Sequence, residues 1–88
     1  AICSGGGSGV VGDFLASDAD VFISGDLNHH HALDVAAGRR GLIDIGHFAS
    51  ERLIVPLLAR RLEEAANRSD LSVTVTPRPD EPDPFAYL

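Results

Sequence analysis

Short, unbroken apolar runs alternate with helical patterns along this chain, and that alternation limits the folds it can adopt. The run at residues 21–23, for example, has the pattern of a strand covered on both faces, and a Ser-Gly-Asp loop ends it. Between the runs, apolar side chains recur at helical spacing. This order predicts an α/β fold with a mostly parallel sheet, right-handed crossovers and helices packed on the sheet.

The elements are predicted in the order βαβαβαβ. The predicted strands cover residues 2–3, 21–23, 42–45 and 71–76, and the helices cover residues 10–15, 29–37 and 49–67. Residues 4–9 are so rich in glycine that we expect a loop there. Pro56 lies inside the third helix, where its missing backbone donor predicts a kink. The last strand alternates apolar and polar residues, which favours an edge position with one solvated face.

The length and composition limit the function. The 88 residues fit a single segment with a thin stability margin, closed by an irregular, proline-rich tail over residues 77–88. A net charge of −6, with no lysine, argues against non-specific binding to nucleic acid or to anionic membranes. A small molecule or a metal ion is the more suitable ligand.

Cysteine usage and the chain ends predict the compartment. Cys3 is the single cysteine, which excludes an internal disulfide. Without a signal peptide or a long apolar span, the expected location is the cytoplasm. The chain opens on what reads as the end of a strand, with no initiator methionine, so we expect that an upstream segment has been removed.

His47 and Glu51 stand four positions apart, so if the third helix starts near residue 47, both side chains project from one of its faces. On one helical face, an imidazole nitrogen and a carboxylate oxygen can bind a single cation. Spacing alone favours the simpler alternative, in which Glu51 interacts with the helix dipole and His47 caps the helix or contacts water.

Further polar residues follow the second and third predicted strands. Because the carboxyl ends of parallel strands meet at one edge of a sheet, we expect these residues to converge there. Of the histidine triplet at residues 29–31, at most one or two can act together, and a solvated helix start is the alternative. Asp26 and Asp44 fit either a capping role or support of a ligand residue.

Two further motifs each allow two interpretations. Gly7, Gly9 and Gly12 satisfy the GxGxxG pattern of a dinucleotide site, with Asp26 near the position of the ribose-binding acid. A tight turn that packs the first helix close to the sheet explains these glycines at least as well. Cys3 is a conceivable nucleophile, but no histidine is near it in sequence, so a small buried hydrophobe is favoured.

Taken together, the motifs resemble the C-terminal portion of the Nif-three-like family, also known under the name GTP cyclohydrolase 1 type 2. The resemblance is carried, in order, by residues 19–26, His30, residues 32–34, residues 42–44, the Gly-His-x-x-x-Glu element at 46–51 and residues 83–85. It covers essentially the whole chain, which implies a fragment of a larger Nif-three-like fold. Within this frame the Gly-His-x-x-x-Glu element is specific and favours metal ligation over capping.

The resemblance implies a metal-dependent hydrolase of GTP cyclohydrolase type. In it, His47 and Glu51 are ligands of a dinuclear centre of divalent ions (zinc, iron or manganese), and the remaining ligands come from an N-terminal portion absent here. His30 would face the pocket and, with Asp26, orient the substrate or shuttle a proton. The implied substrate is a small molecule such as a purine nucleotide, and the implied assembly is a homo-oligomer, a hexamer in the family.

Three departures from the family pattern leave part of this expectation open. Asn28, His31 and Ser50 stand where lysine, aspartate and threonine are frequent, so the resemblance assigns no substrate contact to Asn28 or His31. A non-enzymatic metal-binding or protein-interaction module remains an alternative, as does a nucleotide-binding unit that uses the glycine motif. The isolated chain is predicted to be inactive, because two protein ligands leave a cation mostly hydrated.

Overall fold

A computed structural model of the chain describes residues 1–78 and 80–86. The chain divides into two compact units, Ala1–Glu51 and Arg52–Leu88. The first unit contains the sheet, and the second contains the longest helix. No helix in the described part of the chain is long and apolar enough to cross a membrane.

A three-stranded parallel sheet organises the first unit, with strand order β1-β2-β3. The strands are β1 (Ile2–Gly6), β2 (Val21–Gly25) and β3 (Gly41–Asp44). A 3-10 turn at Gly7–Val10 leads into α1 (Val11–Ala16), α2 (His29–Ala37) connects β2 to β3, and α3 (His47–Glu51) follows β3. These elements confirm the predicted α/β fold with a parallel sheet.

The core of this unit consists of Val11, Phe14, Phe22 and Val35, all nearly inaccessible to solvent. The rings of Phe14 and Phe22 stack with their centroids 5.1 Å apart, which ties α1 to the central strand. Arg40 covers the Phe14 ring, and its Nη1 lies 2.6 Å from the carbonyl oxygens of both Ser17 and Ala19. The guanidinium therefore satisfies backbone acceptors just beyond the end of α1.

The predicted glycine loop over residues 4–9 is wrong. β1 continues through Gly6, which pairs with Gly25 of β2, and the 3-10 turn begins directly afterwards at Gly7. Side-chain composition argues against a strand here, but the neighbouring backbone of β2 supplies the hydrogen-bond partners that composition cannot reveal.

β3 is covered on one face only in this chain. Leu42 packs against the core, whereas Ile43 is 49% exposed. Successive side chains of a strand point to opposite faces of the sheet, so an apolar run alone does not establish that both faces are covered.

The predicted helix over residues 29–37 is confirmed as α2. Its N-terminus is capped by Asn28, whose side-chain oxygen accepts the backbone N–H of His31 at 3.0 Å. At the other end, the N–H of Gly38 donates to the carbonyl of Asp34 at 3.0 Å. The histidine triplet therefore forms the first turn of a capped helix.

The single helix predicted over residues 49–67 is instead two helices, α3 and α4 (Ile54–Arg68), with a turn at residues 52–53. Pro56 has no N–H to donate to the carbonyl of Arg52, and its ring would clash with that carbonyl in a continuous helix. The N–H of Val55 donates to the Arg52 carbonyl instead, at 3.2 Å. Pro56 consequently lies in the first turn of α4, where proline is tolerated.

The predicted fourth strand at residues 71–76 is wrong, since residues 71–78 have no regular secondary structure. An alternating pattern favours an extended backbone, but a strand also needs a neighbouring strand to pair with. In the tail, the described residues show only turns, bends and irregular backbone, in agreement with the prediction from the prolines. Pro79, Tyr87 and Leu88 lie outside the described residues.

Candidate functional site

The loops after β2 and β3 bring Asp26 and His47 together at the carboxyl end of the sheet. Nδ1 of His47 lies 2.9 Å from Oδ2 of Asp26, and Nε2 of the same ring lies 3.2 Å from Oε2 of Glu51. The three side chains are about half exposed, at 46% for His47, 54% for Asp26 and 53% for Glu51. The imidazole thus bridges two carboxylates, one at each ring nitrogen.

This arrangement has an electrostatic consequence. When a neutral His47 donates its Nδ1 proton to Asp26, the Nε2 lone pair faces the Glu51 carboxylate. Two electron-rich atoms 3.2 Å apart repel each other unless a proton or a cation lies between them. The pair formed by His47 and Glu51 therefore presents a nitrogen and a carboxylate oxygen side by side as donors to a cation.

β1 approaches α3 closely at Gly5. The N–H of Gly5 donates to Oγ of Ser50 at 2.8 Å. The Ser50 hydroxyl in turn donates to the carbonyl oxygen of His47 at 2.8 Å. Gly5 has a φ of +69°, and a Cβ there would collide with Oε1 of Glu51 and lie 3.2 Å from Nε2 of His47. The absence of a side chain at this position leaves room for the site.

The two loops that carry Asp26 and His47 are in direct backbone contact. A Cβ on Gly25 would lie 2.5 Å from the carbonyl carbon of Gly46 and 2.7 Å from the backbone nitrogen of His47. Sequence reasoning did not predict this contact or the bond between Gly5 and Ser50. The sequence signal that could have indicated the contact is that a Gly-Asp pair (residues 25–26) and a Gly-His pair (residues 46–47) follow neighbouring strands.

Asp44, the last residue of β3, connects the same loops. Its Oδ1 accepts the N–H of Gly46 at 2.9 Å, and its Oδ2 accepts the N–H of Leu27 at 3.2 Å. Of the two roles left open by the sequence, the structure shows capping of backbone donors on both loops.

The histidine triplet is not part of this hydrogen-bonded cluster. His30 is exposed, and its ring meets that of His29 edge-on with centroids 6.1 Å apart. Across the described residues, His30 makes no hydrogen bond to the cluster of Asp26, His47 and Glu51. Nδ1 of His31 is buried without a hydrogen-bond partner. The substrate-facing role of His30 stays a prediction.

The glycine motif is explained in part by packing. A Cβ on Gly7 would collide with Oγ of Ser24 and lie 2.9 Å from the Phe22 ring, whereas Gly9 and Gly12 have open space around them. Gly7 is thus required where the chain turns over β2. Cys3 packs against the core as a partly buried free thiol, in keeping with a hydrophobic role.

The residues of the cluster fit a divalent metal ion. Imidazole nitrogen and carboxylate oxygen are ligands for zinc, iron and manganese. A donor separation of 3.2 Å suits two atoms that each lie about 2.1 Å from one cation. Asp26 on Nδ1 matches the carboxylates that commonly orient a ligating histidine. Within residues 1–78 and 80–86, no three or more His, Cys, Asp or Glu side chains form a group that could hold a metal, so this chain offers a pair of donors.

The sheet and the cluster beyond its strand ends define a parallel α/β protein with an imidazole–carboxylate site. Its sequence matches the family described as Duf34/NIF3 (NGG1p interacting factor 3) over residues 1–84. The chain belongs to the Duf34/NIF3 family, which confirms the resemblance seen in its motifs.

Relatives with curated names are similar over most of this chain. A protein named GTP cyclohydrolase 1 type 2 homolog from Campylobacter jejuni is 40% identical over 78 residues, which are 88% of this chain and 31% of that protein. Homologs with the same name from Staphylococcus aureus (36% identity, 94% of this chain, 23% of the relative) and Streptococcus pneumoniae (32%, 100% and 33%) are also similar. The chain therefore spans a third or less of the length of these relatives.

Solved structures share the fold. A Staphylococcus aureus protein matches 99% of this chain and 25% of its own, with a TM-score of 0.87 and 34% identity. A Bacillus cereus protein related to NIF3 matches 99% of this chain and 24% of its own, with a TM-score of 0.89 and 23% identity. The fold of this chain thus corresponds to part of a much larger NIF3 fold.

Proposed function

We propose that this chain supplies His47 and Glu51 as ligands to a dinuclear centre of divalent ions in a metal-dependent hydrolase of GTP cyclohydrolase type. The observation that carries the proposal is the separation of 3.2 Å between Nε2 of His47 and Oε2 of Glu51, with Nδ1 of the same ring held by Asp26. Family membership and the names of the relatives support the reaction class.

Each residue of the cluster has a distinct task in this proposal. Asp26 accepts the Nδ1 proton of His47, which keeps the Nε2 lone pair available to a cation. Ser50 links the first turn of α3 to β1 and so fixes the direction in which His47 and Glu51 project. Divalent ions bound there supply Lewis acidity and acidify a water for hydrolysis.

The remaining parts of the proposal lie beyond the cluster. His30, exposed on the first turn of α2, and Asp26, in the loop before α2, orient the substrate or shuttle a proton. The substrate is a small molecule, with a purine nucleotide as the candidate indicated by the relatives' names. Further polypeptide provides the other ligands, and the protein works as a cytoplasmic homo-oligomer, with a hexamer as the expected assembly.

Metal content tests the ligand assignment directly. In the full-length protein, a folded His47→Ala, Glu51→Ala double variant is expected to lose about one or both metal equivalents, because removal of two ligands leaves a cation mostly hydrated. Elemental analysis of the purified protein provides the measurement.

The matched control removes the same side-chain types elsewhere. His29 and Glu81 are exposed and lie outside the cluster, so a His29→Ala, Glu81→Ala double variant should keep the wild-type metal content. If the His47→Ala, Glu51→Ala variant also keeps the wild-type metal content, His47 caps the helix or contacts water and Glu51 interacts with the helix dipole. Family membership then supports only the fold.

The isolated 88-residue chain is expected to show no hydrolase activity, even in a metal-loaded preparation. Its cluster offers two donors, whereas zinc sites have about three or four protein ligands. The assay compares the chain with the full-length protein on GTP, a phosphate ester and a cyclic amide. Turnover by the chain alone contradicts this expectation. Bound metal without turnover in the full-length protein points to the non-enzymatic module instead.

A further inference from the structure

Asp44 is the one carboxylate in the described part of the chain that holds backbone amides of both loops of the site. Its bond to Gly46 N–H, at 2.9 Å, lies within the loop after β3. Its bond to Leu27 N–H, at 3.2 Å, crosses to the loop after β2, 17 residues away in sequence. One side chain thus constrains the backbone next to Asp26 and next to His47.

Both amides adjoin left-handed backbone. Asp26 has a φ of +49°, and the Leu27 N–H belongs to the peptide that follows it. Gly46 has a φ of +79° and directly precedes His47. Residues with a side chain are uncommon in this conformation, although aspartate adopts it more readily than most, and a contact with the neighbouring backbone helps to hold it. The Asp44 carboxylate supplies such a contact from outside the loop.

We propose that Asp44 is a positioning residue that sets the Asp26 carboxylate against Nδ1 of His47. By fixing both loops it favours the Nδ1–H tautomer of His47, because Nδ1 lies 2.9 Å from Asp26 whereas Nε2 lies 3.2 Å from Glu51, and so directs the Nε2 lone pair toward a cation beside Glu51. The consequence for metal binding rests on the proposed function. The consequence for the tautomer does not, because it concerns only the bond between Asp26 and His47.

The alternative is that Asp44 stabilises the fold without influencing His47. Asp44 is exposed and outside the core cluster of Val11, Phe14, Phe22 and Val35, so loss of its carboxylate leaves that packing intact. A measurement on the His47 ring itself therefore separates the two roles.

The test uses Asp44→Ala and Asp44→Asn in the full-length protein, with Asp18→Ala as the control. Asp18 is an exposed carboxylate that precedes β2, at the opposite end of the strand from the site. In metal-free protein, ¹⁵N NMR of labelled histidine reports the His47 tautomer, with the signal assigned by its loss in His47→Gln. Hydrogen exchange reports the protection of the Leu27 and Gly46 amides, and zinc affinity is measured by competition with a chelator.

In Asp44→Ala we expect His47 to lose its preference for the Nδ1–H tautomer. Exchange at Leu27 and Gly46 is expected to speed up about tenfold, and zinc affinity to fall about 10- to 100-fold, the usual effect of removing a group that orients a ligand. Asp44→Asn keeps one acceptor oxygen but presents an N–H to the other loop. Its tautomer preference, amide exchange rates and zinc affinity should therefore lie between those of wild type and Asp44→Ala. Asp18→Ala should match the wild type in all three measurements.

The outcomes separate this inference from the proposed function. If wild-type protein binds no zinc, the proposed function fails. A comparison of the His47 tautomer in wild type and Asp44→Ala then still shows whether Asp44 is a positioning residue. If Asp44→Ala keeps the Nδ1–H tautomer, the inference is overturned whether or not amide exchange speeds up. If Asp44→Ala loses the Nδ1–H tautomer of His47 but keeps its zinc affinity, Asp44 positions Asp26 against His47. The expected effect of Asp44 on metal binding is then wrong.

Discussion

Replacing Gly25 with alanine is expected to weaken metal binding about 10- to 100-fold and to lower the free energy of unfolding by about 1–3 kcal/mol. The new Cβ would lie 2.5 Å from the carbonyl carbon of Gly46 and 2.7 Å from the backbone nitrogen of His47. These are backbone atoms, so no side-chain rotation relieves the contact. The end of β2 and the loop carrying His47 must separate, and Asp26 moves away from His47 with them.

Gly9→Ala is the matched control for this prediction. A Cβ on Gly9 would have no neighbouring atom within 4 Å, and the residue has no positive φ, so the same methyl group should leave metal binding unchanged. Zinc competition and urea denaturation on the two variants provide the comparison. Wild-type affinity in Gly25→Ala would show that the two loops tolerate separation, and the close backbone contact would then have no functional importance.

Phe22→Ala is expected to destabilise the protein by about 3–5 kcal/mol, the usual cost of deleting a buried phenyl group. Phe22 is 1% exposed, lies on the central strand and stacks on Phe14 at 5.1 Å between centroids. Small domains have free energies of unfolding of about 5–15 kcal/mol. In a chain of this size, the Phe22→Ala variant should therefore retain little stability and show little of the cooperative unfolding transition. Urea denaturation followed by circular dichroism measures the change.

An exposed phenylalanine provides the control for the core prediction. Phe85 is 70% exposed, and Phe85→Ala removes the same group with an expected change within about 0.5 kcal/mol. Comparable destabilisation by both variants would mean that burial in this core is not what makes Phe22 important.

Local patterns were sufficient for much of the fold. The stop at Gly38 marks one end of α2, and the apolar run at residues 21–23 lies within β2. The break before α4 is equally local in origin, since it follows from the missing N–H of Pro56, although the apolar pattern by itself predicts a single kinked helix. Residues 71–76 show the limit of this reasoning, because strand formation depends on a pairing partner that periodicity does not specify.

In the candidate site, the sequence by itself determined the spacing of four residues between His47 and Glu51, which places both on one helical face because α3 begins at His47. It also placed Asp26 and Asp44 at the carboxyl ends of neighbouring parallel strands. Only the tertiary structure decided that Asp26 meets Nδ1 of His47 and that Gly25 touches Gly46. Such contacts are lost when two segments about 20 residues apart in sequence shift by a few tenths of an ångström. The separation of these segments is set by strand register and by close packing of the backbone.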